Sequence, residues 1–156
     1  MSKTLLIKLG KKLLAAKHTV AVAESVTSGL LQQSIGGIPD ARKFFQGGIT
    51  TYNLGQKMHH LMVEPIHAEE VNSVSQQVAV QMAMAVATNF RSDWGLAVTG
   101  YATPAPESDG KLFAFYAICF RGKLLARGKI NGGDRSPFKV QQHYADTVLR
   151  KWLDSW

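Results

Sequence analysis

The stretch VAESVTSGLL, residues 22–31, predicts a buried strand that turns directly into a helix, and it is the most informative stretch of the chain. The apolar run ends at Glu24-Ser25, and several hydroxyl side chains and Gly29 follow before the helical pattern begins. Because the first N–H groups of a helix have no internal partners, the turn can bind an anion or an oxyanion and present Ser25 as a nucleophile. The alternative is an ordinary capped helix, since serine and threonine are favoured N-caps.

The first half of the chain alternates helical and strand patterns around this junction. Leucines at helical spacing predict an amphipathic helix over residues 3–17, followed by a short buried strand over 19–23. A helix is predicted over 29–35, a helical turn after Pro39, and a second strand over 47–52. Residues 57–62 fit a helix, and a break is predicted at 65–67. A capping box at 73–76 then starts a helix over about 75–90.

The second half of the chain is richer in strands. Strands are predicted over 94–100, 111–120 and 124–130, with a loop over 101–110 and a hairpin turn at 121–123. A C-terminal helix is predicted to begin at Pro137, with Ser136 as its cap. This order predicts a three-layer α/β/α sandwich with a mixed sheet. Ligand sites in such sheets lie beyond strand ends, which favours the turns at 24–29, 51–57 and 99–106.

Size and composition favour one domain over residues 1–156. The 156 residues are 46% hydrophobic and 19% charged, which argues against disorder. No apolar stretch approaches the roughly 20 residues that span a bilayer, and the N-terminus lacks a signal-peptide pattern. The sequence therefore predicts a cytoplasmic protein with no membrane partner. The single cysteine, Cys119, lies in an apolar run and is predicted to be an inert buried thiol.

The net charge of +7 makes anionic partners plausible, from a phosphorylated metabolite to nucleic acid. The basic residues are spread along the chain without a block of like charges or a known nucleic-acid-binding pattern. A solvated basic surface is therefore favoured over a nucleic-acid groove.

Three side chains in the candidate turns suggest acyl-transfer chemistry: Ser25, Tyr52 and Lys57. A serine is a poor nucleophile until a base removes its proton, and a buried lysine can do so if it is neutral near pH 7. A tyrosine can relay the proton or orient the lysine. The histidines lie outside the candidate turns, and no metal-binding spacing occurs, so both a His-based triad and a metal site are disfavoured. By spacing alone, the alternative is that each of the three is a turn or surface residue.

Five motifs occur in order along nearly the whole chain. They are AESVTSG at 23–29, FQGGITTYNLGQK at 45–57, SVSQQVA at 73–79, AVTGYATP at 97–104 and GDR at 133–135. This ordered set resembles the CinA C-terminal domain family, whose enzymatic members are nicotinamide-nucleotide amidases. Any one of these motifs is degenerate, but the set is specific.

The resemblance implies hydrolysis of nicotinamide mononucleotide, an anionic nucleotide, to the nicotinate form and ammonia, without a metal or cofactor. It implies Ser25 as the nucleophile, Lys57 as the general base and Tyr52 as a partner in proton transfer. It also implies a homo-oligomer, by family analogy a dimer. The substrate-binding residues that it implies are Thr27, Ser28, Gly29, Thr99, Gly100, Arg135 and Lys139, with Arg135 or Lys139 facing the phosphate or carboxamide.

Several positions depart from the family pattern and leave other interpretations open. The altered pocket positions are Val26, Ser28, Leu54, Tyr101, Thr103 and Phe113, and Lys139 stands where an arginine is expected. A diverged relative could bind a nucleotide-like ligand without efficient turnover, with Phe113, Tyr101 or Ser28 filling the ligand volume. An amidase predicts a cleft beside Ser25 and Lys57, with the two side chains within hydrogen-bond reach. A third interpretation is a nucleic-acid-binding or interaction domain with a basic surface.

Overall fold

A computed structural model describes residues 2–156, which form six α-helices and five strands. The helices are α1 (Lys3–Ala16), α2 (Leu30–Gly36), α3 (Leu54–Leu61), α4 (Pro65–Glu70), α5 (Gln76–Asn89) and α6 (Pro137–Asp154). The strands are β1 (Val20–Glu24), β2 (Phe45–Thr50), β3 (Trp94–Gly100), β4 (Phe113–Phe120) and β5 (Lys123–Asn131). Short 3₁₀ helices lie at Ala41–Lys43 and Pro106–Ser108.

The strands form one mixed sheet in the order β2-β1-β3-β4-β5. Strand β1 is parallel to both β2 and β3, with Glu24 opposite Thr50 and Val98. Strands β3, β4 and β5 are successively antiparallel, and β4 and β5 form the predicted hairpin. The carboxyl ends of β1, β2 and β3 therefore meet at one edge of the sheet, which is where ligands bind in open α/β sheets.

Helices cover both faces of the sheet, and alternate residues of β1 show how. Val20 and Val22 belong to a core that contains side chains of α1, α2 and α6. Ala21 and Ala23 face the opposite way, into a second core built mainly by α5 with parts of α3 and α4. A strand that is buried on both faces cannot show a polar alternation, so β1 appears in the sequence as a continuous apolar run. The predicted three-layer α/β/α sandwich with a mixed sheet is confirmed.

Helix α5 packs so closely on the sheet that only a glycine fits beneath it. A Cβ at Gly95 of β3 would overlap the Ala83 carbonyl oxygen of α5. In the same layer, Cys119 of β4 donates its S–H to that carbonyl at 3.2 Å. Cys119 is buried, as predicted, and this burial raises the pKa of its thiol to about 11.

Most predicted elements match the structure within two residues, but the region of residues 45–70 differs. The break predicted at 65–67 is wrong: α4 starts at Pro65, and the Glu64 carboxylate caps it by accepting from Ile66 N–H and His67 N–H. Proline is compatible with the first turn of a helix, so the same residue that suggested a break begins one. Strand β2 ends at Thr50 rather than at Tyr52.

Helix α3 begins earlier than predicted, because the Asn53 side chain caps it by accepting from Gln56 N–H at 3.0 Å. At α5 the predicted cap is confirmed, with the Ser75 hydroxyl accepting from Val78 N–H at 3.1 Å. Ser136 is the N-cap residue of α6, but its side chain makes no capping bond within residues 2–156. Over the same described range, no helix is both long and apolar enough to cross a bilayer.

Candidate active site

A cavity of about 330 Å³ opens at the carboxyl ends of the parallel strands. Ser25 follows β1, Tyr52 follows β2, and Gly100 ends β3, so all three reach this edge of the sheet. Helices α3 and α6 and the loop between α4 and α5 complete the lining. The lining residues are Ser25, Val26, Tyr52, Asn53, Leu54, Lys57, Asn72, Ser73, Val74, Gly100, Tyr101, Ala102, Thr103, Pro137 and Gln141.

The turn after β1 is organised by the buried carboxylate of Glu24. This carboxylate accepts from the Thr27 hydroxyl at 2.6 Å and from the N–H groups of Gly29, Leu31 and Gln32 at 3.1, 3.0 and 2.9 Å. The expectation that the first N–H groups of α2 are free for an anion is therefore wrong. A buried carboxylate needs hydrogen-bond partners, and the start of α2 supplies them.

Two other N–H groups of this turn, those of Val26 and Thr27, meet no acceptor within residues 2–156. The side-chain amide of Gln141 donates to the Val26 carbonyl at 2.8 Å and fixes the peptide that joins Val26 to Thr27. In a trans peptide the N–H points opposite to the carbonyl, so this hydrogen bond also sets the direction of the Thr27 N–H. These two donors are the candidates for an oxyanion hole beside Ser25.

Lys57 is the cation in the lining of the cavity. It lies in the first turns of α3 and is only 2% exposed. Burial lowers the pKa of its ammonium from the ordinary 10.5 to about 8, because the charged form loses its hydration. A lysine with this pKa is partly neutral near pH 7 and can accept a proton.

Ser25 and Lys57 are buried, whereas Tyr52 lies at the mouth of the cavity. Ser25 is 6% exposed and Tyr52 is 72% exposed. The Ser25 N–H donates to the Val98 carbonyl at 3.1 Å, which ties the start of the turn to β3. The three side chains line one cavity, and within residues 2–156 no hydrogen bond joins them to one another.

The predicted substrate-binding residues are placed in different ways. Gly100 lines the cavity. The Thr99 hydroxyl donates to the Ser73 carbonyl at 2.9 Å and so anchors the loop that forms one side of the cavity. Thr27 and Gly29 bind Glu24 instead, and Ser28 is exposed with a positive φ of 50°.

The two predicted cations near α6 are exposed on the surface. The Arg135 guanidinium donates to the Gly132 carbonyl, and Lys139 lies in the first turn of α6. Pro137 and Gln141 are the α6 residues that reach the cavity. The cations therefore lie near the cavity along the chain, and neither forms part of its lining.

The loop between α4 and α5 contributes Asn72, which no sequence pattern indicated, and Ser73, which was named only as part of a motif and a capping box. Asn72 and Ser73 have φ values of 49° and 58°, a left-handed conformation that is unusual for two consecutive non-glycine residues. Backbone strain of this kind clusters at functional sites. An asparagine, which tolerates this conformation better than most residues, was the available sequence signal. Gln141 was also missed, because it acts across more than 100 residues.

The departures from the family pattern leave the cavity open. Val26, Leu54, Tyr101 and Thr103 are part of the lining, whereas Phe113 and Ser28 lie outside it. Of the three side chains expected to fill the ligand volume, Tyr101 is the one that lies in the described lining of the cavity. Within residues 2–156, no group of three or more His, Cys, Asp or Glu side chains is placed to hold a metal ion.

Solved structures define the class of this fold. A CinA superfamily protein from Escherichia coli superposes with a TM-score of 0.92 at 24% identity, over 100% of this chain and 94% of that chain. A competence or damage-inducible protein from Enterobacter asburiae gives a TM-score of 0.90 at 25% identity, over 97% of this chain and 95% of that chain. The architecture is therefore the α/β fold of the CinA superfamily.

The family follows from the sequence comparison. The family model of the CinA C-terminal domain matches residues 2–154, and the chain belongs to this family. A relative from Moorella thermoacetica, provisionally named competence-damage inducible protein, is 38% identical over 83% of this chain and 32% of its own length. A relative of the same name from Alkaliphilus metalliredigens is 33% identical over 93% of this chain and 36% of its own. The chain spans about a third of the length of these curated relatives.

Proposed function

We propose that the protein is a serine amidase that hydrolyses nicotinamide mononucleotide to nicotinate mononucleotide and ammonia. The observation that supports this most is the pairing of buried Ser25 with buried Lys57 on one cavity, the lysine having a pKa of about 8. The pairing supplies a nucleophile and a base that is partly neutral at physiological pH.

The proposed reaction begins when neutral Lys57 Nζ takes the proton of the Ser25 hydroxyl. Ser25 Oγ attacks the carboxamide carbon, and the carbonyl oxygen becomes an oxyanion that the N–H groups of Val26 and Thr27 bind. Lys57 then returns the proton to the amide nitrogen and the C–N bond breaks. Ammonia departs, and Ser25 remains as an acyl-serine. A water molecule then attacks the acyl carbon while Lys57 takes its proton. Lys57 returns that proton to Ser25 Oγ as the acyl C–O bond breaks, and the acid product departs as a carboxylate after losing a proton to solvent.

Tyr52 fits an auxiliary role in this scheme. It is exposed at the cavity mouth and lies on the short segment that leads from β2 into α3, where Lys57 is found. From there its hydroxyl can pass protons between Lys57 and solvent once a substrate covers the mouth.

The nucleotide phosphate is best placed at the start of α6. Pro137 lines the cavity, and the N–H groups of Phe138 and Lys139 have no acceptor among the described residues. A helix N-terminus attracts an anion, and the nearby charges of Lys139 and Arg135 add to this attraction. The volume of about 330 Å³ lies at the small end of the roughly 300–1,000 Å³ typical of ligand pockets, which suits a compact substrate.

The decisive experiment measures ammonia released from nicotinamide mononucleotide by the wild-type protein and by Ser25→Ala. We expect release by the wild type and a loss of about 1,000-fold or more in the variant, because the acyl-enzyme cannot form. Ser108→Ala is the matched control, since Ser108 is as buried as Ser25 but lies in the 3₁₀ helix away from the cavity. Turnover that survives Ser25→Ala would remove this serine as the nucleophile.

A second candidate function is binding of a nucleotide without efficient turnover. The observation that favours it is that no hydrogen bond joins the Ser25 and Lys57 side chains within residues 2–156, while Tyr52 is largely exposed. Calorimetry with nicotinamide mononucleotide separates the two functions. Binding with no ammonia released supports the second candidate.

A further inference from the structure

Tyr101 stands between the active cavity and a second, outer cavity. The outer cavity has a volume of about 520 Å³, and both cavities are lined by Asn72, Val74 and Tyr101. These three residues therefore form the partition between the two spaces. Ser25 and Lys57 lie on the inner side of the partition.

A hydrogen bond joins the side chains of two residues of the partition, and we call this contact the Tyr101–Asn72 clasp. The Asn72 amide donates to the Tyr101 hydroxyl at 3.1 Å. The Tyr101 ring packs edge-on against Phe113 with a centroid distance of 5.5 Å. Its backbone is fixed as well, because its N–H donates to the Phe113 carbonyl at 2.8 Å and its carbonyl accepts from the Tyr144 hydroxyl at 3.0 Å. The tyrosine ring is thus fixed in place from several directions.

The two cavities differ in charge. The outer cavity has three acidic lining residues, Glu69, Glu70 and Glu107, and no lysine or arginine is among its described lining residues. The active cavity contains Lys57 and adjoins the N-terminus of α6. An anionic group is therefore attracted to the active cavity and repelled by the outer one.

We propose that the Tyr101–Asn72 clasp sets substrate specificity by confining the amide substrate to a compact molecule with one phosphate group. A larger substrate, such as a dinucleotide with the same carboxamide, needs more volume than the active cavity supplies, and the outer cavity behind the partition is an adjoining space. Such a substrate would then meet the tyrosine ring first and the three acidic residues behind it. The clasp thus selects a mononucleotide over a dinucleotide by size and by charge. This inference rests on the amidase function proposed above.

The test compares kcat/KM for nicotinamide mononucleotide and for nicotinamide adenine dinucleotide, both followed by ammonia release. We expect the wild type to prefer the mononucleotide by at least about tenfold and Tyr101→Ala to reduce this preference about tenfold, in line with the loss of one steric contact. Tyr101→Phe and Asn72→Gly each remove the hydrogen bond but keep the ring, so they should reduce the preference less. Glycine also accepts the left-handed conformation of Asn72.

Two further variants separate size from charge and from general effects. Adding Glu107→Gln to Tyr101→Ala should reduce the preference again, because it removes one of the repelling carboxylates. Tyr116→Phe is the matched control, since Tyr116 is buried in β4 and lines neither cavity. This variant should prefer the mononucleotide as strongly as the wild type does. Thermal unfolding of each variant checks that it folds. If Tyr101→Ala does not fold, the Tyr101→Phe and Asn72→Gly variants decide the question.

The results also separate this inference from the amidase proposal. An unchanged preference in the folded Tyr101 and Asn72 variants overturns the clasp and leaves the amidase proposal intact. If the wild type releases no ammonia, the amidase proposal fails, and the same preference is measured as a ratio of dissociation constants by calorimetry. In that case a ratio that falls in Tyr101→Ala supports the clasp, and an unchanged ratio overturns it. No binding of the mononucleotide by the wild type overturns both.

Discussion

Replacing Lys57 by methionine removes a buried charge and leaves an unbranched, apolar side chain in its place. Burial lowers the pKa of the ammonium from 10.5 to about 8, so keeping it protonated in the folded protein costs about 3 kcal/mol. Below pH 8 the lysine is protonated in both the folded and the unfolded chain, and the folded protein bears this full cost. We therefore expect Lys57→Met to raise the free energy of unfolding at pH 7 by up to about 3 kcal/mol while abolishing the amidase activity.

The pH dependence identifies the cause of this stabilisation. Between pH 8 and 10.5 the unfolded chain binds the proton and the folded chain does not, so the free energy of unfolding of the wild type rises with pH. The advantage of Lys57→Met should therefore shrink as pH rises through this window, as measured by urea unfolding at several pH values. Lys123→Met, at an exposed lysine, is the control and should show no such trend. A stability difference that stays constant from pH 7 to 10 would show that the pKa of Lys57 is not lowered by burial.

The activity of the wild type should rise over the lower part of the same range. With a pKa of about 8, the neutral fraction of Lys57 increases about fivefold from pH 7 to pH 8, and the rate should follow it. The rate should level off above pH 9. A rate that is flat or falls between pH 7 and 9 would show that neutral Lys57 is not the base.

Three other substitutions test the architecture of the site and the fold. Glu24→Gln should lower the free energy of unfolding by about 1–3 kcal/mol in urea unfolding, because the amide that replaces one carboxylate oxygen leaves buried N–H donors unsatisfied. Gln141→Leu removes the donor to the Val26 carbonyl and should lower kcat about tenfold or more with little change in KM, as measured by steady-state ammonia release. Gly95→Ala should destabilise the protein by about 1–3 kcal/mol because of its overlap with α5, as measured by thermal unfolding. The control for this third substitution is Gly55→Ala in α3, where the added Cβ makes only an ordinary contact, and it should be neutral or stabilising.

Local patterns in the sequence were sufficient to predict most of the secondary structure. The helices α1, α5 and α6 have apolar residues at regular spacing, and the buried strands are continuous apolar runs, so each element is encoded within its own segment. The error at α4 arose because Pro65 is compatible with both a break and a helix start, and the Glu64 cap decides between them. Side-chain caps of this kind depend on rotamers, which spacing does not specify.

The order of the elements and the layered fold could be predicted from the sequence, and the candidate turns with the family motifs pointed to Ser25, Tyr52 and Lys57. These depend on short-range patterns and on the rule that parallel strands end together. The folded chain was needed to show that Glu24 occupies the N–H groups at the start of α2 and that burial lowers the pKa of Lys57. Hydrogen bonding and desolvation depend on which segments pack around a group, and those segments are far apart in the chain, so local patterns do not reveal them.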